Sequence, residues 1–497
     1  MLLTKKTDRP AAEPPAAAAV PVVVPDELPA RLGPSVHTAG RWRSKGFLTT
    51  TVRPAAAPST TNQARVLNSA IIGNPGSERG IALGDDQLSG SAVFNDVFAS
   101  YEARLISSPN VCVLGALGAA KSAMVKTQYV LRPLMLRDRR GVVLDKKPFG
   151  DTGDGEYSAL TRWFGAEPFT MLPGDPAGTA LNILDPLVLA AGSNRDESRA
   201  AALGLVVAFA ELAGNATLST LEHATLAAAH RRLLKDFETS RRVPVIEDLL
   251  ALLPGIVDSD DFAGRRPATL DAIDAASLDV QVRMQRLLAD DLAGMFDRET
   301  SKDVVLHPKL TTFNISNLPE DGPATALVIA VVNALLMGML RRNRDHKKTT
   351  LVIEEAWNLL LGQAAKNIRS NLKLARALGL STVSVIHHIS DIPAGSDGMA
   401  MIKEASTIHL FRQSQEDDIA DCVRTFGLEP SNADVLRTLP QGQHLLKVGT
   451  AKEVHVRAHR TDSEIGLTET DEAMLARPTT PPAVALPGPR RGLELAR

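Results

Sequence analysis

The sequence predicts an α/β fold with a largely parallel sheet, and three features predict it. First, short apolar runs of strand type alternate with helical segments: VCVLG at 111–115, GVVLD at 141–145, PFTML at 168–172, TTFNIS at 311–316, TTLVIEE at 349–355, STVSVIHH at 381–388 and STIHLFRQ at 406–413. Second, residues 196–298 break this rhythm with an almost wholly helical pattern rich in Ala, Leu and charged residues, punctuated by Pro244 and Pro254, which reads as an inserted all-α subdomain. Third, QHLLKVG at 443–449 and KEVHVRAH at 452–459 form an expected C-terminal β-hairpin.

Taken in chain order, residues 1–60 are a Pro/Ala-rich arm with a basic cluster at 41–45. Its prolines interrupt the apolar stretch that a signal peptide would need, so a disordered leader is expected. Residues 61–195 carry the first strands and a glycine-bearing turn, 196–298 the helical insertion, 299–461 the later strands, and 462–497 a flexible tail rich in Pro. The most apolar helix, ATALVIAVVNALLMGML at 324–340, is short for a bilayer span and runs into Arg-Arg-Asn-Arg, so it is expected in the core.

Composition sets limits on function. With 497 residues and 44% apolar content, the chain can bury a substantial core. Its 55 basic and 57 acidic residues give a net charge of −2, so contact with nucleic acid or an anionic membrane must be local. The two cysteines, Cys112 and Cys422, have no metal-type spacing, and Cys112 lies in an apolar strand, which excludes a disulfide framework and points to a buried thiol.

Two segments carry the chemistry. In VCVLGALGAAKSAMVKT at 111–127 a strand enters a glycine-bearing turn that ends in Lys121-Ser122, the order in which a P-loop offers backbone N–H groups to phosphate, a lysine charge and a metal-binding hydroxyl. The candidate nucleotide-binding residues are Gly115, Gly118, Ala119, Ala120, Lys121, Ser122 and Ala123, the alternative being an ordinary strand–turn–helix junction of an α/β domain. Ala120 stands where the motif has its second glycine, and its Cβ restricts the backbone there. In TTLVIEEAW at 349–357 an apolar strand ends in Glu354-Glu355; one carboxylate serves Mg2+ together with Ser122, and the other polarises water. ATP and Mg2+ are the expected ligands.

Three further candidates follow. His387-His388 end the next strand, where a γ-phosphate sensor or structural polar residues both fit; no third ligand has the spacing for a metal site. Arg376, at the end of LKLARALG, reads either as an arginine finger reaching a neighbouring subunit or as a helix C-terminal cation. Asp145 ends the second strand and reads as a nucleotide or metal contact or as part of an ordinary loop; Arg412-Gln413 end a later strand at the same edge.

The ordered set RGIALGDDQLSG, GALGAAKS, VVLDKKP with a displaced GEY, LPGDPAG, LNILDP, TTFNISNL, VIEEAW, ARALGLSTVSVIHHISDI and LFRQ resembles the motor domain of type IV secretion ATPases, in the HerA–FtsK branch of P-loop NTPases, and especially a short actinobacterial form. The resemblance spans roughly residues 78–460 and implies a RecA-like fold. It implies Glu354 as the Walker B acid, Glu355 as the catalytic glutamate, Arg376 as a trans-acting arginine and His388 at the usual sensor glutamine. It further implies an ATPase ring, a hexamer, at the cytoplasmic face of the cell membrane, working with membrane components of a secretion channel. The alternatives are a coupling-type ATPase that pumps DNA, and a nucleotide-binding scaffold with weak or no catalysis. The sequence departs from the family at Ala120, at Glu354 and in an insertion splitting an Asp-Pro-Lys-Gly-Glu-Tyr turn.

Overall fold

The computed structural model describes residues 80–150, 153–189, 194–290, 292–319, 323–342, 345–354, 378–393 and 395–469. Glu355, Arg376 and the N-terminal arm lie outside the described residues.

Among the described residues, eleven strands form one sheet in the order β2-β1-β11-β10-β9-β3-β8-β7-β4-β6-β5. They are β1 Ile81–Asp86, β2 Ala92–Asn95, β3 Val111–Leu114, β4 Arg139–Asp145, β5 Phe169–Thr170, β6 Leu310–Asn314, β7 Lys348–Ile353, β8 Leu380–Ile386, β9 Thr407–Leu410, β10 Gln443–Val448 and β11 Val454–Ala458. From β9 to β5 every neighbour is parallel. The expected hairpin forms between β10 and β11, with Leu445 opposite His455. That hairpin does not end the sheet: β1 and β2, which the apolar runs do not announce, extend it as further antiparallel strands. The mainly parallel sheet of the sequence reading is therefore joined to a four-strand antiparallel flank.

Side-chain alternation along the strands builds two cores, one on each face. Cys112, Leu114, Val142 and Leu144 face one; Val111, Val113 and Val143 face the other. The second face is covered by α1 (Lys121–Val125), which continues into a π-helical turn at Lys126–Leu131. Pro133 follows, and a wider turn relieves the clash its ring would make with a carbonyl one turn back. The first face meets the helical insertion, made of α2 (Arg195–Gly214), α3 (Thr220–Asp236), α4 (Ile246–Leu252) and α5 (Pro267–Ala289), and then α6 (Pro323–Arg342).

Local signals set these helix ends. Asn194 caps α2 through Glu197 N–H, Ser219 and Glu222 form a capping box on α3, and Pro267 starts α5. Phe209, Leu226, Leu249 and Met284 of the insertion share one apolar cluster with the sheet, so the insertion has no separate core. By length and composition α6 passes for a membrane span, yet 83% of its most apolar window is buried within the fold. It is a core helix, as the sequence suggests. Cys112 and Cys422 are free and buried.

One expectation is corrected at the C-terminal end. The segment read as a flexible tail from 462 begins with α8 (Asp462–Thr468), after α7 (Glu416–Phe426), and Thr461 caps α8 by a capping box with Glu464. The Glu464 side chain is fully buried, and Arg132 Nε donates to its Oε1 at 2.7 Å. A buried, paired carboxylate ties this helix to the body of the protein.

Candidate nucleotide site

The parallel strands end together at one edge, where an open sheet of this kind exposes its loops to ligand. β3 leads directly into the loop Gly115–Ala120. At Gly115, φ is +156° and a Cβ would lie 2.5 Å from Phe411 Cβ, so only glycine fits beside the end of β9. The loop is tied to that strand's exit, since Ala116 N–H donates to Arg412 C=O at 2.8 Å. This carbonyl is the contribution of Arg412 to the loop.

Gly118 and Ala120 both take left-handed backbone, with φ of +73° and +71°. The nest of N–H groups a phosphate needs comes from such turns, and Ala120 makes one with a Cβ in place. Lys121 begins α1, its side chain buried. Its ammonium donates to the carbonyls of Gly115 and Ala116, the latter at 2.9 Å, and lies 3.0 Å from His387 Nδ1. The lysine is folded onto its own loop.

β8 lies between β3 and β7, so Glu354 is one strand removed from the loop rather than on an adjacent strand. Glu354 is buried. Tyr157 Oη donates to its Oε1 at 2.7 Å, while Oε2 carries no hydrogen bond among the described residues and sits 3.9 Å from Lys147 Nζ. Lys147 Nζ in turn donates to Ser122 Oγ at 3.0 Å. A hydroxyl at the start of α1 and a buried carboxylate oxygen after β7 thus lie on either side of one ammonium, a donor set that fits Mg2+.

The split turn closes on itself. Pro148 and Gly155 form an antiparallel bridge, and Glu156 N–H donates to Lys147 C=O at 3.0 Å. Lys147 and Glu156, nine positions apart in sequence, come out side by side. Burial raises the Glu156 carboxyl pKa, opposed by Lys126, whose ammonium lies 3.1 Å away, and by Lys147. Tyr157, fully buried against Glu354, is held well above the usual phenol range. Asp145 engages this turn through one oxygen. Its Oδ2 accepts from Tyr157 N–H at 2.7 Å, and burial pushes its pKa up to about 7.

These groups line a cavity of about 880 Å³ that includes Gly118, Ala119, Ala120, Lys121, Ser122, Ala123, Lys147, Glu156 and His387. That volume suits a nucleotide. The P-loop residues read from sequence are brought together here, with Glu354 behind them. Glu355 and Arg376 lie outside the described residues. At the expected sensor position, His387 Nδ1 lies 3.0 Å from Lys121 Nζ, while His388 Nδ1 is 2.7 Å from the buried Asp418 of α7. Adjacent strand-end residues face opposite sides, and one register step decides which faces the site. The two rings turn to different partners. Gln413 is buried with its N–H on Leu436 C=O. The roles of Lys147, Glu156 and Tyr157 were missed, although VVLDKKP and the displaced GEY marked the positions.

Fold and site together define a class: the chain has the RecA-like P-loop NTPase fold. Among solved structures it is similar to VirB4 of Thermoanaerobacter pseudethanolicus, at 20% identity over 79% of this chain and 99% of that one, with a TM-score of 0.60. It is also similar to the plasmid coupling protein TrwB in complex with the non-hydrolysable GTP analogue GDPNP, at 15% identity over 71% and 86% of the two chains, with a TM-score of 0.48. No family model matches the chain, and no curated protein matches it in sequence. At these identities the likeness is one of fold.

Proposed function

We propose that the chain is an ATP-binding and ATP-hydrolysing ring motor of a type IV secretion apparatus. The observation that carries the reading is one cavity lined by Lys121, Ser122 and Lys147, with buried Glu354 reached from it through Lys147, in the fold that VirB4 shares.

Residues then take the following work. Backbone N–H groups of Gly118–Lys121 and the Lys121 ammonium hold the phosphates, the ammonium leaving its loop carbonyls to do so. Ser122 and Glu354 would hold Mg2+, and Tyr157 fixes the Glu354 carboxylate from behind. Mg2+, when bound, neutralises charge on the transferring phosphoryl group. His387, beside Lys121, is the γ-phosphate sensor. Glu355 orients the attacking water, and Arg376 completes a neighbour's site, so self-assembly into a ring, a hexamer, is part of the proposal. The motor works at the cytoplasmic face of the cell membrane with channel components, and DNA is a candidate cargo.

A second reading is favoured by one observation, the left-handed Ala120: a nucleotide-binding scaffold without turnover. Purified protein decides between them. The motor reading expects saturable ATP binding and Mg2+-dependent turnover whose specific activity rises with protein concentration, both lost in Lys121→Ala. Binding without turnover, restored by Ala120→Gly, establishes the scaffold instead. Absence of nucleotide binding with divalent metal present sinks both.

A further inference from the structure

The two atoms that a divalent cation would need, Ser122 Oγ and Glu354 Oε2, already share a cation. Lys147 Nζ is 3.0 Å from the first and 3.9 Å from the second, on a side chain largely shielded from solvent. Its position is built in rather than incidental. Lys147 is the second residue after the end of β4, and its carbonyl is pinned by Glu156 N–H across the Pro148–Gly155 bridge. Lys147 lines the same cavity as Lys121 and Ser122. A lysine is a point charge on a flexible stem with three donors, and it can satisfy a hydroxyl oxygen and a carboxylate oxygen together, as a metal does.

We propose that Lys147 is a resident cation of the Ser122–Glu354 locus. It lets the site bind triphosphate without metal, and a divalent cation must displace it to reach the same two oxygens. This rests on the nucleotide-site reading above. In the metal-free protein Lys147 keeps the Glu354 carboxylate from standing as an unpaired buried charge facing incoming phosphate, and it adds a second positive charge to that of Lys121. When Mg2+ arrives with nucleotide, one ammonium and one divalent ion compete for one pair of oxygens. The charge that makes metal-free binding good therefore makes metal binding weaker.

The test is binding, not turnover. Kd for mant-ATP is measured by fluorescence in EDTA and in saturating Mg2+ for the full chain and its variants. The wild-type ratio of the two constants is expected to be small, within about fivefold, and Lys147→Met is expected to raise it about tenfold or more, by weakening the EDTA value alone. Half-saturating Mg2+ for the variant falls correspondingly. Lys147→Arg, which keeps the charge, is expected to hold the wild-type ratio. A merely structural lysine would weaken both constants together, so an unchanged ratio in Lys147→Met overturns the proposal. If Lys147→Met fails to fold, Lys147→Gln, which keeps a donor for Ser122, carries the same comparison. Failure of wild type to bind mant-ATP in either buffer overturns the nucleotide-site reading itself, whereas binding with an unmoved ratio overturns only the role of Lys147.

Discussion

Tyr157 Oη donates to Glu354 Oε1 at 2.7 Å across 197 residues of sequence, and both side chains are buried. The bond joins the closed turn after β4 to the end of β7 and leaves the other carboxylate oxygen as the one that faces Ser122 and Lys147. A carboxylate so oriented has one oxygen committed to structure and one held for a cation.

Removing that hydroxyl tests the arrangement. Tyr157→Phe leaves both oxygens of a buried carboxylate without a hydrogen bond, and a bond to a charged group contributes about 1.5–3 kcal/mol. Urea unfolding is expected to show a loss of that size. Free rotation of Glu354 is also expected to raise the Mg2+ concentration needed for half-maximal ATP turnover. A stability loss with an unchanged Mg2+ requirement would mean that Tyr157 only packs.

The left-handed Ala120 offers a second measurement. That conformation costs roughly 1–2 kcal/mol in a residue with a Cβ, while glycine gives back about 0.4–1 kcal/mol through the entropy of the unfolded chain. Ala120→Gly is therefore expected to stabilise the fold by roughly 0–1.6 kcal/mol. Without the Cβ, main chain and phosphate approach freely, and ATP affinity by calorimetry is expected to tighten about fivefold, the equivalent of 1 kcal/mol. A gain in stability without a gain in affinity would separate strain from function.

Much of this was legible beforehand, and the exceptions share a cause. The central strands are continuous apolar runs because both faces are covered, and Lys121-Ser122 and Glu354 end two of them. β1 and β2 are short and partly polar; β1 joins the sheet by pairing with β11, some 370 residues away, and β2 pairs only with β1, so the apolar pattern does not announce them. Lys147 and Glu156 are neighbours only because the Pro148–Gly155 bridge folds out the intervening residues. His387 and His388 could not be told apart from composition, since the register of β8 alone turns one to Lys121 and the other to Asp418.

That histidine assignment can be checked by a pair of variants. His387→Ala removes the group beside Lys121, and turnover is expected to fall about 10- to 100-fold with little change in melting temperature. His388→Ala leaves buried Asp418 with the Ser390 N–H at 3.2 Å and without its ring partner, so a stability loss of about 1–3 kcal/mol is expected with turnover per folded molecule preserved. The reverse pattern would return the sensor role to His388.

Asp145 makes the protein's stability depend on pH in a direction that can be worked out. Its carboxyl is fully buried, with Oδ1 unpaired and Oδ2 on Tyr157 N–H, and burial raises its pKa from 3.8 to about 7. Between those values the folded chain keeps a proton that the unfolded chain has released. Stability therefore falls as pH rises across that window, by at most about 4 kcal/mol at 1.36 kcal/mol per unit, and levels off above the folded pKa. Asp145→Asn is neutral throughout and can still accept from Tyr157 N–H. The stability of the variant relative to wild type is expected to climb from pH 4 to pH 7 and then stay flat, read from urea unfolding at intervals across that range. Buried His409 and His444, whose pKa values burial pushes down, give the opposite slope, but they are common to both proteins and cancel in the difference. A difference that does not vary with pH would show that Asp145 is ionised in the folded protein, with Lys126 as its counter-charge.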